Sequence, residues 1–328
     1  MQTPEELGAR PALDNARQLG TFPDHQIPDT QSIDPDDPPW GVPMALAVFL
    51  ASFFLLAVAS AVFLLPYAVR RGLNFSSPDF GRALSEFALK DPTAVFLQVS
   101  STVPAHLLTL LVVWAVVTRF GKRAFWKTLG WDWDRHFGLW TSFALGVVLF
   151  FVSSAVAHFL GGEKLTPLEE ALNSSAATRY MIAALATLTA PLVEELIFRG
   201  VLYSALQRLI ARITLMLSGQ PVENGLTPRM RLIGKAGAVV LVTVLFAGLH
   251  VPQYQTNYGV IAAISLLSLS LTLIRAASGK LLPCYVVHLV FNGIQSVIIV
   301  WPGHAPVVAP ERAAMLLLPL LGSLHSLI

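Results

Sequence analysis

The stretch Thr-Leu-Thr-Ala-Pro-Leu-Val-Glu-Glu-Leu-Ile-Phe-Arg-Gly-Val-Leu-Tyr, residues 187–203, places three ionisable side chains inside an apolar segment long enough to cross a bilayer. Each of Glu194, Glu195 and Arg199 at that depth costs about 2.5–3.5 kcal/mol on insertion, so such residues usually have a function. On a helix, Glu195 and Arg199 stand four residues apart and can pair. Glu194 is turned away by about 100° and therefore needs a partner from another helix.

Two later apolar segments carry polar residues at the same helical spacing. One contains Phe246 and His250, and the other contains His288 and Asn292. Because residues four apart lie on one face of a helix, each pair is predicted to face a common interior. The three segments together predict one polar cluster inside the membrane.

The composition is that of a membrane protein with several spans. Of the 328 residues, 54% are hydrophobic and only 13% are charged, and the mean hydropathy is +0.62. These values fall far outside the range of soluble domains. A formal net charge of +2 is too small to indicate nucleic-acid binding. The single cysteine, Cys284, excludes an internal disulfide and is expected to be a small buried apolar residue.

The predicted fold class is all-α, a polytopic transmembrane helix bundle of seven or eight spans with a disordered N-terminal tail. Residues 1–41 are rich in Pro and Asp and form the predicted cytoplasmic tail. Residues 42–177 hold the N-terminal spans, residues 178–300 the catalytic core, and residues 301–328 an apolar end whose last sixteen residues are a marginal eighth span. The seven spans are predicted at Pro43–Ala68, Thr93–Val117, Leu139–Leu160, Thr178–Ala211, Gly234–Leu249, Tyr258–Ala276 and Leu281–Val300. The fourth is too long for one straight crossing, and Pro191 is expected to bend or break it.

The distribution of Lys and Arg predicts the orientation. If the eight segments alternate, fourteen cations fall on the side of the N-terminus and seven on the other side. The positive-inside rule then places the N-terminus in the cytoplasm. In this topology Glu194 and His250 each lie about 20 Å from the cytoplasmic surface, and His288 and Asn292 lie roughly 12–18 Å from it. The four side chains are therefore predicted to lie at similar depths in the membrane.

A carboxylate, two histidines and an amide are suited to hydrolysis of an acyl group by water. Glu194, with His250, is the predicted base that takes a proton from water. The amide of Asn292 or an N–H of His288 can stabilise the oxyanion, whereas Glu195 and Arg199 form the more structural pair. Three alternatives stay open: a zinc site of Glu194, His250 and His288, a structural brace, and ion-coupled transport.

The three motifs resemble those of the type II CAAX prenyl endopeptidases, also called the CPBP or ABI family, which includes Ras-converting-enzyme homologues. The family motifs Glu-Glu-x-x-x-Arg, Phe-x-x-x-His and His-x-x-x-Asn occur here without substitution. They stand at Glu194, Glu195 and Arg199, then Phe246 and His250, then His288 and Asn292. The resemblance covers about residues 178–300.

This resemblance implies an intramembrane peptidase with a water-filled cavity reached from the membrane or the cytoplasm. It implies that Glu194 and His250 activate water and that His288 and Asn292 stabilise the oxyanion, with Glu195 and Arg199 completing the motif. Members are often labelled metalloproteases, which adds a divalent metal such as zinc to the expectations. The implied partners are the lipid bilayer and a membrane-associated peptide or protein, prenylated in the eukaryotic relatives. The breadth of the family in bacteria favours a prokaryotic inner membrane, and a non-catalytic bacteriocin-immunity or scaffolding protein is the alternative.

Overall fold

The structure, a computed structural model, describes residues 34–301 apart from residues 75, 162–165, 222–224 and 255–256. Within these residues every regular element is a helix. The α-helices are α1 (Val42–Arg70), α2 (Phe80–Lys90), α3 (Pro92–Thr118), α4 (Phe125–Thr128), α5 (Leu139–Leu160), α6 (Pro167–Ser174), α7 (Ala176–Leu188), α8 (Ala190–Glu195), α9 (Tyr203–Leu217), α10 (Pro228–Tyr254), α11 (Tyr258–Ser278) and α12 (Leu282–Val300). A π-helix, Leu196–Leu202, joins α8 to α9.

In the part of the chain that the structure describes, seven helical segments are long and apolar enough to cross a membrane, which confirms the predicted helical bundle. They are α1, α3, α5, the continuous stretch Ala176–Leu217, α10, α11 and α12. The protein is therefore an integral membrane protein with several spans. The fourth span ends at Leu217 rather than Ala211, and the fifth begins at Pro228 rather than Gly234. The predicted eighth span, residues 313–328, lies outside the described residues.

The fourth span is interrupted twice, and both interruptions position the site. Helix α7 ends at Leu188, Thr189 separates it from α8, and Pro191 stands in the first turn of α8. The predicted break thus occurs two residues before Pro191, whose missing N–H is tolerated at the start of a helix. The second interruption is the π-helix, a rare form that is frequent at functional sites and that was not predicted.

Residues 34–41 correct the predicted tail boundary. The indole of Trp40 is only 4% exposed, and its Nε1 donates to the carbonyl of Val201 at 3.1 Å. The Asp36 carboxylate accepts from Arg275 Nη1 at 2.9 Å and pairs with Lys235 Nζ at 3.1 Å. This segment is therefore packed on the helices rather than disordered, because basic residues from distant helices neutralise its acidic residues. Residues 1–33 lie outside the described residues.

The helices of the last three spans enclose the polar cluster. Helix α12 packs against α5 and α7, α11 packs against α5 and α10, and α10 packs against α9. The close contact between α11 and α5 requires Gly259, since a Cβ there would lie 2.5 Å from the carbonyl oxygen of Ala157. The short helix α6 begins with a capping box in which Thr166 and Glu169 bind each other's backbone N–H groups.

Candidate active site

Glu195 and Arg199 form the ion pair that the sequence predicts. Arg199 Nη1 lies 3.0 Å from Glu195 Oε1, and both side chains are fully buried. The other two nitrogens of the guanidinium also donate: Nε donates to Thr272 Oγ1 at 3.2 Å, and Nη2 donates to Ser268 Oγ at 2.7 Å. The guanidinium carbon lies 4.6 Å from the centroid of the Phe246 ring, within cation–π range. Arg199 is thus held by three residues of the core, whereas the second carboxylate oxygen of Glu195, Oε2, is buried without a hydrogen-bond partner among the described residues.

His288 connects this buried pair to Glu194. Its Nδ1 lies 2.8 Å from Glu195 Oε1, and its Nε2 lies 3.7 Å from Glu194 Oε2. A carboxylate that already pairs with Arg199 accepts hydrogen bonds, so Nδ1 of His288 is the donor. This bond fixes the ring orientation and directs Nε2 toward Glu194. The partner that Glu194 needed from another helix is therefore His288.

His250 is oriented by its own helix. Its Nδ1 lies 2.8 Å from the carbonyl oxygen of Phe246. Because a carbonyl only accepts, Nδ1 carries a proton, and in the neutral ring Nε2 is then an acceptor. The Phe246 ring packs on both histidines, with centroids 4.7 Å from His250 and 6.2 Å from His288. Phe246 thus holds the two imidazoles on one side of the site.

Asn292 is fixed by a backbone contact with the fourth span. Its Nδ2 donates to the carbonyl of Ala186 at 3.0 Å. A primary amide has two N–H groups, and this bond uses one of them. The second N–H is available to a ligand. The predicted role of Asn292 as a donor is therefore compatible with its geometry.

A cavity of about 430 Å³ brings the predicted residues together. Glu194, Phe246, His250, His288 and Asn292 all line it. The Glu194 side chain is 28% exposed, whereas those of Glu195 and Arg199 are fully buried behind the cavity wall. Only Glu194 of the two carboxylates can therefore meet a substrate or a water molecule directly.

Sequence reasoning missed the residues that hold Arg199. Ser268 and Thr272 stand four residues apart on α11 and are both fully buried. Their spacing in an apolar helix is the same signal that marked the two histidine pairs, so it was available in the sequence. The pattern was not recognised because Ser and Thr are common in membrane helices, so a pair of them does not by itself indicate a site.

The zinc interpretation does not fit the side chains as they are arranged. Among the described residues, no three His, Cys, Asp or Glu side chains are close enough together to hold a metal ion. The three expected ligands, Glu194, His250 and His288, all line the same cavity, and His288 contacts Glu195 through Nδ1.

Residues 176–294 match the family model described as Type II CAAX prenyl endopeptidase Rce1-like. Over these residues, which are 119 of the 328, the chain is similar to the Rce1-like family. The match starts at the first residue of α7 and ends two residues after Asn292, so it contains every motif residue and the whole polar cluster. No curated protein and no solved structure matches the chain. This similarity supports a membrane peptidase of the CAAX type.

Proposed function

We propose that this protein is an intramembrane endopeptidase that hydrolyses a peptide bond near the C-terminus of a membrane-associated protein or peptide. Glu194 and His250 activate the water, and His288 and Asn292 stabilise the oxyanion. The observation that carries the proposal is the cavity, because it exposes one carboxylate beside two oriented imidazoles and one amide. The proposal requires neither a prenyl group on the substrate nor a metal.

The proposed reaction begins with a water molecule between Glu194 and His250. Glu194 takes its proton while the oxygen attacks the peptide carbonyl, with His250 Nε2 accepting a hydrogen bond from the same water. The carbonyl oxygen becomes an oxyanion, which accepts from the second N–H of Asn292. In its protonated form His288 also donates to the oxyanion through Nε2, while Nδ1 stays bound to Glu195.

The intermediate collapses when the C–N bond breaks. The proton held by Glu194 passes to the leaving nitrogen, which departs as an amine, and the acyl part leaves as a carboxylic acid that carries one oxygen from water. Glu195 and Arg199 take no part in proton transfer. They hold His288 in position, since Glu195 Oε1 contacts both Arg199 and His288.

Turnover of a panel of fluorogenic peptides by purified protein tests this proposal. Glu194→Gln and His250→Ala should each lose about 10²–10⁴-fold in turnover, the range expected for a general base. The matched controls are Glu170→Gln and His158→Ala, which change exposed residues outside the cavity and should keep wild-type turnover. Unchanged turnover in both cavity variants would contradict the proposal and favour a non-catalytic role.

A further inference from the structure

The cavity lies at one end of the bundle rather than midway between its two ends. Helix α10 lines it only with residues from Phe246 to Tyr254, where that helix ends. Helix α11 lines it only with residues from Val260 to Leu267, in the first half of that helix. Helix α6, which lies outside the seven spans, contributes Leu168 and Leu172. The cavity thus extends from the polar cluster toward the end where α10 stops and α11 starts.

The other end of the bundle is closed beneath the site. Leu129 and Leu281 are buried there beside Gly200, where an added Cβ would lie 3.0 Å from the Leu129 side chain. The N–H of Leu281 donates to the carbonyl of Gly130 at 2.9 Å. This bond joins the loop before α12 to the loop after α4. Segment 34–41 lies over the same end and is held there through Trp40 and Val201. No described residue of this end lines the cavity.

Positive charge is concentrated at the closed end. Among the described residues, twelve Lys and Arg lie at the closed end and five lie at the cavity end. The closed-end cations are Arg119, Lys122, Arg123, Lys127, Arg135, Arg208, Arg212, Arg229, Arg231, Lys235, Arg275 and Lys280, and the cavity-end cations are Arg70, Arg71, Arg82, Lys90 and Arg179. Short loops rich in Lys and Arg stay on the cytoplasmic side of a membrane. The charge distribution therefore places the closed end in the cytoplasm.

We propose that the cavity opens to the extracytoplasmic side, and that the substrate is an exported peptide or the extracytoplasmic end of a membrane protein. A cytoplasmic C-terminus, prenylated or not, would meet the closed end. The cavity wall is mainly apolar, and its described residues include the carboxylate of Glu194 but no Lys or Arg. An apolar peptide segment is therefore the class of substrate that this site would accept. Only the peptide-cleavage part of this inference depends on the proposed function.

Labelling of single cysteines with a membrane-impermeant maleimide tests the direction of the opening. The buried Cys284 is the one native cysteine, so Cys284→Ala gives a cysteine-free background. In that background, Gln253→Cys reports on the cavity end, Gln295→Cys on the cavity wall, and Lys122→Cys on the closed end. We expect Gln253→Cys and Gln295→Cys to be labelled in intact spheroplasts, and Lys122→Cys only in inverted vesicles. Labelling of the two cavity positions only in inverted vesicles would overturn the proposal.

A second measurement separates this inference from the proposed function. An apolar fluorogenic peptide is added outside intact spheroplasts or outside inverted vesicles that contain the wild-type protein. Cleavage in spheroplasts and its loss in inverted vesicles supports the extracytoplasmic opening. Cleavage only in inverted vesicles would refute the opening while leaving the peptidase activity intact. Labelling as expected, with no cleavage of any peptide in either preparation, would refute the peptidase activity alone.

Discussion

The Asp36 carboxylate is the counter-ion of two cations at the closed end of the bundle, and its removal should destabilise the protein. The side chain of Arg275 is 1% exposed and that of Asp36 is 22% exposed. Breaking a fully buried ion pair by removing one partner costs about 3–5 kcal/mol. Because Asp36 retains some contact with solvent, we expect Asp36→Asn to lower the free energy of unfolding by about 2–3 kcal/mol.

The neighbouring Asp37 provides the matched control. Its side chain is 66% exposed and pairs with Arg208 at 3.0 Å. Arg208 also donates to the carbonyls of Pro38 and Trp40, so it keeps partners when the carboxylate is lost. Asp37→Asn should therefore cost no more than about 1 kcal/mol, as exposed pairs do. Thermal unfolding in detergent micelles should show a melting temperature lower by roughly 4–10 °C for Asp36→Asn. Equal losses in the two variants would refute the reasoning.

The same residue predicts a pH dependence. Burial by itself raises the pKa of Asp36, but the Arg275 and Lys235 cations outweigh it and hold the pKa below its ordinary value of 3.8. A carboxyl whose pKa is lower in the folded state contributes stability above its unfolded pKa and loses it as the pH falls through the folded pKa. The difference in melting temperature between wild type and Asp36→Asn should therefore be constant near neutral pH and shrink below about pH 4. A difference that already shrinks between pH 8 and pH 6 would contradict this assignment.

Four further substitutions test the packing and the site by thermal unfolding and peptide turnover. Gly259→Ala should lower the free energy of unfolding by about 1–3 kcal/mol, because its Cβ would meet a backbone carbonyl at 2.5 Å. Gly248→Ala, whose Cβ would have nothing within 4 Å, should be neutral or slightly stabilising, and equal losses would contradict the packing argument. Asn292→Ala should lower turnover by about 10²–10³-fold, and wild-type turnover would exclude its role at the oxyanion. Ser268→Ala removes a hydrogen-bond acceptor of Arg199 and should cost about 1–3 kcal/mol, so unchanged stability would show that the carbonyl of Ser268 suffices.

The seven spans and the members of the cluster were predictable because both depend on spacing within one helix. The length of an apolar segment indicates whether it can span the membrane. A separation of four residues places Phe246 and His250 on one helix face, and likewise His288 and Asn292. The contacts between helices were not predictable in the same way. The sequence suggested Glu194 with His250 as the working pair, but it did not indicate that His288 lies between Glu194 and Glu195. Which side chains meet depends on the rotation of each helix, and the spacing of residues within one helix does not specify that rotation.

Segment 34–41 shows the limit of reasoning from composition. Its Pro and Asp residues bury little apolar surface on their own, which predicts disorder. The residues that hold it, such as Arg275 and Arg208, lie in helices more than 160 positions away along the chain. Trp40 was the available signal, since a large aromatic residue next to a span often packs on the bundle. The π-helix had no signal in the sequence, because its residues also form ordinary helices.

The central claim, that this cavity hydrolyses peptide bonds with water activated by Glu194, can be measured directly with isotopically labelled water. Proteoliposomes that contain wild-type protein or Glu194→Gln are incubated, in water enriched in oxygen-18, with membrane peptides from cells that lack the protein. Mass spectrometry then identifies new C-termini. The account predicts new carboxyl groups that carry one labelled oxygen with the wild-type protein and none with Glu194→Gln. The same labelled termini in both samples, or no new termini with the wild-type protein, would contradict it.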